Sequence, residues 1–539
     1  MHRLKTTLYR ASRSRSFLWK FALSVTLAGT GVGVALSFFQ PSGSHLFGER
    51  VLARVGISVK RQEEKLKAPK ETPDGLLEAL RAELATANVS YLEFVWAIES
   101  FAPHVAPADY PAFQTVLRPR FTEEEATLAT NYLGAWLDRN SEEFSQLKAQ
   151  ATIPEPLRYA RYLLGRIDFK QKNYLAGFEY AFAEAQHPGA YESRHLAVLA
   201  LAESHDFKKL DSLRQDKRFA PYFTPRVALA AATGARDWRA MMEGIVALQL
   251  ASYDDVVVLI AIVSALGWGF FLVHFGQVRS PGSGYFWLCV LGLIAGIVST
   301  IPTIFCVIVQ DDIFHFAPGE DPVRIFAYFI AGVGAREELC KLLLFLPLLP
   351  FLLRGRNEFE ALTVACFVGL GFAVEENVGY FGMSAAANAP GRFLTANFFH
   401  VALTGMNGLA LFRACTRGVA GLNEFLTILP ITILAHGAYD ALIELSTLDE
   451  TGFIAMALFI GFCYLFFDRA HAIRPNAQMT ISLTGALIFG VSLLAATVSA
   501  FQIATLGVRA GGPLIFGELL GSAILLIMFF REFNEPLGA

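Results

Sequence analysis

Hydrophobic and polar positions fall into two regimes along this chain. Residues 21–39 (FALSVTLAGTGVGVALSFF) carry no charge and follow a segment holding Arg3, Lys5, Arg10, Arg13, Arg15 and Lys20. A span-length apolar run behind a basic flank reads as a helix entered from the cytoplasm. The run is long for a cleaved signal peptide and no clear A-x-A site follows, so residues 1–39 are expected to form a cytoplasmic tail and a retained signal anchor. From 40 to 253 charges return, apolar residues recur at helical spacing, and Pro, Gly and Asn clusters separate the segments, which predicts a soluble helical domain. Beyond Val256 the apolar stretches lengthen again, at about 256–275, 285–309, 324–353, 359–382, 393–412, 422–445, 452–468, 479–502 and 512–530. The fold class is therefore all-α, a multi-pass membrane protein of about ten spans with a nine-span membrane domain over 254–539.

Within the soluble part, over 157–252, one local pattern returns. Lys172-Asn173-Tyr174, His205-Asp206-Phe207 and Arg236-Asp237-Trp238 each separate two apolar helix-like runs, at intervals of 33 and 31 residues. A polar turn ending in an aromatic between paired helices resembles a tetratricopeptide array, whose period is about 34 residues. Leu164-Gly165 and Pro188 fit that consensus in the first unit only, and an irregular helical bundle is the other reading. Neither contains evident chemistry, so this domain is expected to bind or position a protein partner.

Charge orients the spans. Threaded from a cytoplasmic N-terminus, the inner loops and tail hold Arg279, Arg354, Arg356, Arg413, Arg417, Arg469, Arg474 and Arg531, against Arg324, Arg392 and Arg509 outside. That bias places residues 40–253 outside the cytoplasm. The acidic residues Asp311, Asp312, Glu320, Asp321, Asp449 and Glu450 fall on the same outer side. Composition agrees with a membrane protein: of 539 residues, 54% are hydrophobic and 17% charged, against about 25% charged in soluble proteins. A net charge of −3 gives no electrostatic reason for a nucleic-acid partner. Cys289, Cys306, Cys340, Cys366, Cys415 and Cys463 lie in or beside apolar stretches without a CxxC pair, so neither a disulfide framework nor a cysteine zinc site is indicated.

Against this apolar background, four successive spans carry ionisable groups, which are costly in hydrocarbon and mark function by default. The first reads Arg336-Glu337-Glu338-Leu339-Cys340-Lys341, where either carboxylate can reach the ammonium three or four residues on. The next holds Phe372 and Glu375-Glu376-Asn377, the third His400, and the fourth His436 with Asp440 one turn later. Counted at about 1.5 Å per residue, Glu376, His400, His436 and Asp440 lie at one level, roughly 8–14 Å below the outer boundary. Glu337 and Glu338 come out deeper, near about 20 Å if their helix starts at Arg324. Glu375 falls on another face and is read as structural; Asn397 and Asn407 are read as contacts between helices, and Glu518 as structural or interfacial.

Desolvation and mutual repulsion can turn such a glutamate into a general base for water, with a histidine to carry the proton onward and a second imidazole to meet an oxyanion. The same groups suit a metal-bound water, with His400, His436 and Glu376 as a His₂Glu zinc set. The spacing leaves both open; no cofactor is required by the first, and zinc is the cofactor of the second. HExxH, GxSG and GxGD are all missing, which sets aside three other intramembrane protease designs.

Glu337-Glu338-x-x-Lys341, Phe372-x-x-x-Glu376 with Asn377, the lone His400 and His436-x-x-x-Asp440, in that order over about 256–470, resemble the motif set of the PrsW family of intramembrane proteases. That family is related to the CAAX prenyl endopeptidases and bacteriocin-processing proteins, whose first motif reads EExxxR. The resemblance implies cleavage of single-pass membrane proteins, anti-sigma factors among them, near the extracytoplasmic face of a bacterial inner membrane. It further implies that Glu337 and Glu338 activate water, that Glu376 and His400 complete the catalytic set, and that His436 is an essential partner; Lys341, Phe372, Asn377 and Asp440 support them. The large amino-terminal domain departs from the short family members. Two other classes fit buried carboxylates and histidines: an ion- or proton-coupled transporter, though no inverted repeat is evident, and a scaffold acting through the helical repeat.

Overall fold

The computed structural model describes residues 2–38, 47–55, 57, 69–278, 282–319, 321–384, 386–445, 451–475, 481–508, 511–512, 517, 521 and 523–533. Arg279, Glu320, Asp449, Glu450, Arg509 and Glu518 lie outside them. Among the described residues the secondary structure is helical with no strand, and the chain divides into two compact units.

One unit comprises residues 34–248 and 503–514. Two of its helices begin at reciprocal capping boxes, Ser90 with Glu93 and Thr122 with Glu125, that satisfy otherwise orphaned N–H groups. Phe94, Phe101 and Phe113 interlock in its core. The three recurring turns share one backbone geometry. Lys172, His205 and Arg236 all take positive φ (63°, 58° and 52°), and each is followed by a polar residue and a helix opening on Tyr174, Phe207 or Trp238. The polar-polar-aromatic triplet is thus a helix stop, a reversal and a restart.

The other unit comprises residues 1–33, 249–502 and 515–539. Among the described residues seven helices are long and apolar enough to cross a membrane: Arg15–Ser37, Val257–Phe275, Gly284–Ile313, Glu358–Gly382, Val419–Glu444, Gly452–Ile473 and Leu483–Leu506. Three of the ten expected spans differ from this description. Residues 322–355 form a succession of helical pieces, Pro322–Ala327, a π-helical Tyr328–Gly334, Ala335–Phe345, a 3₁₀ turn and Leu349–Gly355, with two glutamates and a lysine in the middle. The Ala396–Thr416 helix has 21 residues but carries Asn397, His400 and Asn407. The last, 512–530, falls partly outside the described residues, which show a helix at Ala523–Phe533.

Two close approaches set the geometry of this unit's centre. A Cβ on Gly369 would collide with the backbone at His400 and stand 2.9 Å from the Val401 Cα, so this glycine lets the Glu358–Ser384 helix press against the His400 turn. A Cβ on Gly437 would strike the backbone of Phe329 and Ile330 in the π-helical stretch, and one on Gly334 would come within 2.9 Å of the Gly437 nitrogen. The Val419–Glu444 helix therefore meets the segment leading into Glu337 backbone to backbone. At the far ends of these helices Arg413 clamps Glu358 (2.8 Å) and Glu424 (2.7 Å), tying three helices together. Because no side chain fits at the crossing, Gly437→Ala is expected to lower stability by about 1–3 kcal/mol, read as the drop in thermal unfolding of the detergent-solubilised protein.

Candidate active site

Glu337, Glu338 and Lys341 share one face of the Ala335–Phe345 helix, and all three side chains are buried. Lys341 and Glu338 are completely so, at 0% exposure. An ammonium that cannot reach water needs partners on all sides. Lys341 Nζ finds Glu338 Oε1 and His400 Nδ1 at 2.9 Å each and Glu337 Oε2 at 3.5 Å, and it sits 4.0 Å from the centre of the Phe372 ring, a cation–π contact.

Around that ammonium two histidine systems are built. His436 Nδ1 lies 2.9 Å from Glu338 Oε1, while its Nε2 faces Glu337 Oε2 and Asp440 Oδ2 at 3.5 Å each. Glu338 is the more heavily engaged of the two glutamates: its second oxygen accepts from Asn407 Nδ2 at 3.0 Å, and Asn407 Oδ1 in turn accepts from Thr432 Oγ1 at 2.8 Å. Among the described residues no hydrogen bond reaches Glu337 Oε1. The second system is His400 Nε2 on Glu376 Oε2 at 2.8 Å, with Arg392 Nη2 donating to that same oxygen at 2.8 Å. Arg392 Nε donates to Asn377 Oδ1 (2.7 Å), Asn377 donates to Asn397 (2.6 Å) and Asn397 to Ser264 (2.7 Å). The two imidazoles face each other edge to face with ring centres 5.1 Å apart.

The structure thus brings Glu337, Glu338, Lys341, Phe372, Glu376, His400, His436 and Asp440 into one cluster, with Asn377 behind it. Glu375 stands apart, accepting from the Tyr253 hydroxyl. Two expectations shift. Glu337 and Glu338 lie beside His436, at 3.5 and 2.9 Å, instead of at a different level, on a segment that is a succession of helical pieces with a π-helical stretch and not one straight helix. The donor set suited to a cation is also different: ligand atoms of Glu337, His400 and His436 lie within 4.8 Å of one another, whereas the expected third donor, Glu376, has its Oε2 held by Arg392 and His400. Three contacts of the cluster were not specified by sequence. Arg392 reads as a loop charge but lies on a short helix, Ala389–Leu394, that carries it back to Glu376. Asn407, read as a contact between helices, is one, and its partner is Glu338; seven residues from His400, it shares that helix face after two turns. Thr432, one turn before His436, had no signal.

Residues 285–467 match the PrsW family intramembrane metalloprotease. No curated protein and no solved structure matches the chain.

Losing the one ammonium leaves two buried carboxylates facing each other, and breaking a buried pair from one side costs about 3–5 kcal/mol. Lys341→Met is expected to destabilise the protein by that amount in thermal unfolding, and adding Glu338→Gln to it to recover part of the loss.

Proposed function

Over residues 285–467 the chain belongs to the PrsW family, and from that premise we propose an intramembrane endopeptidase that hydrolyses single-pass membrane proteins near the extracytoplasmic face, with Glu337 as the base. The observation that supports this assignment is the inequality of the two adjacent glutamates. Every hydrogen bond that Glu338 accepts comes from a fixed protein donor, and its side chain is fully buried. Glu337 keeps one oxygen free of such donors among the described residues and a side chain 10% exposed. A water on that oxygen would give its proton to Glu337 as its own oxygen bonds the scissile carbonyl carbon. The C–N bond then breaks as the proton passes to the departing amine. His436 Nε2, 3.5 Å from the Glu337 carboxylate, stands beside this transfer with its ring oriented by Glu338.

The family's description implies a metal, and the donor chemistry fits one: Glu337, His400 and His436 would hold it, provided His400 gives up Lys341 or Glu376 as a neighbour. When bound, zinc lowers the pKa of its water to about 7. The arginine bias supports an N-terminus inside and residues 40–253 outside, the latter acting on a protein partner or on substrates, and the family resemblance supports a bacterial inner membrane.

Membrane proteomes of cells carrying the natural protein and Glu337→Gln are expected to differ by protein termini just at the outer membrane boundary, present only with the former; identical sets of termini would defeat the protease assignment. For the metal, zinc retained by purified protein after dialysis is expected to fall with Glu337→Gln and His436→Ala and to persist with Glu376→Gln.

A further inference from the structure

We infer that Asn407 and Thr432 are positioning residues of the reaction, acting through Glu338 to fix which nitrogen of His436 faces Glu337. The inference rests on the endopeptidase assignment above and concerns two residues outside the motifs that led to it.

Glu338 Oε1 lies 2.9 Å from both Lys341 Nζ and His436 Nδ1, and Oε2 lies 3.0 Å from Asn407 Nδ2. A carboxylate only accepts, so each partner must present N–H. For His436 this means a proton on Nδ1, which turns Nε2 toward Glu337 and Asp440. For Asn407 it means the NH₂ end faces Glu338, and the opposite end then needs a donor. Thr432 supplies it, with Oγ1 at 2.8 Å from Asn407 Oδ1. Lysine has no acceptor, and the Thr432 hydroxyl, whose one proton is shared between Asn407 Oδ1 and the Leu429 carbonyl oxygen at 2.8 Å each, meets the amide oxygen as a donor, so the chain from Thr432 to Asn407 to Glu338 to His436 runs in one direction. Asn407 and Glu338 are wholly buried and Thr432 nearly so, so water cannot stand in for a lost member. Without Asn407, the Glu338 carboxylate keeps only the two bonds on Oε1 and is free to turn about its last torsion, and the His436 ring turns with it. Thr432 occupies the turn before His436 on the same helix, so the element that carries the imidazole also carries the start of the chain that orients it. A purely structural asparagine would need partners, but not partners that end on the two groups flanking Glu337.

The test uses the full chain reconstituted in phospholipid vesicles with a synthetic single-span peptide labelled by a fluorophore and a quencher on either side of its outer membrane boundary. Asn407→Leu is expected to lower kcat roughly 10–100-fold, the usual effect of removing a group that orients a ligating or reacting side chain, with KM unchanged within about twofold. In a Glu338→Gln background the same substitution should cause no further loss, because both act through one carboxylate. Thr432→Val, which removes only a hydroxyl, should give a smaller kcat loss with the same non-additivity, and it carries the test if Asn407→Leu does not fold. Wild-type kcat in both single variants, a loss confined to KM, or losses that multiply with Glu338→Gln would each overturn the inference while leaving the endopeptidase standing. No cleavage by the natural protein would instead overturn the endopeptidase assignment and this inference with it.

Discussion

The membrane unit is organised around one buried positive charge. An ammonium moved from water into a medium of low dielectric loses several kcal/mol of solvation even after relaxation, and Lys341 has no route back to solvent. Its position is tolerable only where acceptors surround it: Glu338 and Glu337 from its own helix, and, from other helices, His400 on Ala396–Thr416 and the ring face of Phe372 on Glu358–Ser384. Arg392 performs the matching service for Glu376. Each carboxylate at the centre is thus answered by a cation whose placement depends on a neighbouring helix, so that the electrostatics can be satisfied only if the helices pack in one way.

Glycine makes that packing attainable. Polar side chains are short-range instruments, since a hydrogen bond needs heavy atoms within about 3 Å, and helices normally stand 8–10 Å apart. Gly369 removes the obstacle between the helices carrying Glu376 and His400, and Gly334 with Gly437 does the same where the segment leading to Glu337 crosses the helix carrying His436. The glycines adjoin the ionisable residues in sequence because close approach is needed where the side chains must touch. Small residues at such crossings are the general device of membrane helix packing; here they also determine which acids meet which imidazoles.

How much of this was legible depends on whether a contact is local. The i,i+3 and i,i+4 relations of Glu338 and Glu337 to Lys341, and of His436 to Asp440, follow from helical spacing, and the structure shows those atoms 2.9–3.5 Å apart. That four successive spans carry ionisable groups was equally plain, as was a helical chain rich in apolar spans. What spacing does not contain is the exchange of partners between helices. Glu376 looked like the carboxylate to join two histidines, but a loop arginine folded back on a short helix and took its oxygen, leaving Glu337 nearest the pair. Asn397 and Asn407 look alike in sequence, each a lone amide in an apolar helix, yet one ends on Ser264 and the other on Glu338. The triplets near 172, 205 and 236 were visible as a recurrence; that each opens with a non-glycine residue at positive φ was not, since Lys172 and Arg236 have no preference for that conformation and only His205 belongs to a type enriched in it.

The polarity that builds the site has a cost that is carried by other helices. The segments bearing Glu337, Glu338, Lys341 and His400 do not qualify as simple apolar spans, because each polar side chain raises the free energy of transfer into lipid. Such helices are stable in a bilayer only when their neighbours keep lipid away from the polar face. The Glu358–Gly382 helix, 89% of whose apolar window is buried, packs against both of them from the centre, and the Val257–Phe275 and Gly284–Ile313 helices, at 50% and 33%, keep far more surface for lipid. The gradient from outer to inner helices is therefore a division of solvation: apolar helices take the bilayer so that the inner ones can keep charge. The division is not absolute: the helices bearing Glu337 and His400 fall short of the apolar threshold, while Glu358–Gly382 and Val419–Glu444 pass it and still bring Glu376, His436 and Asp440 to the cluster.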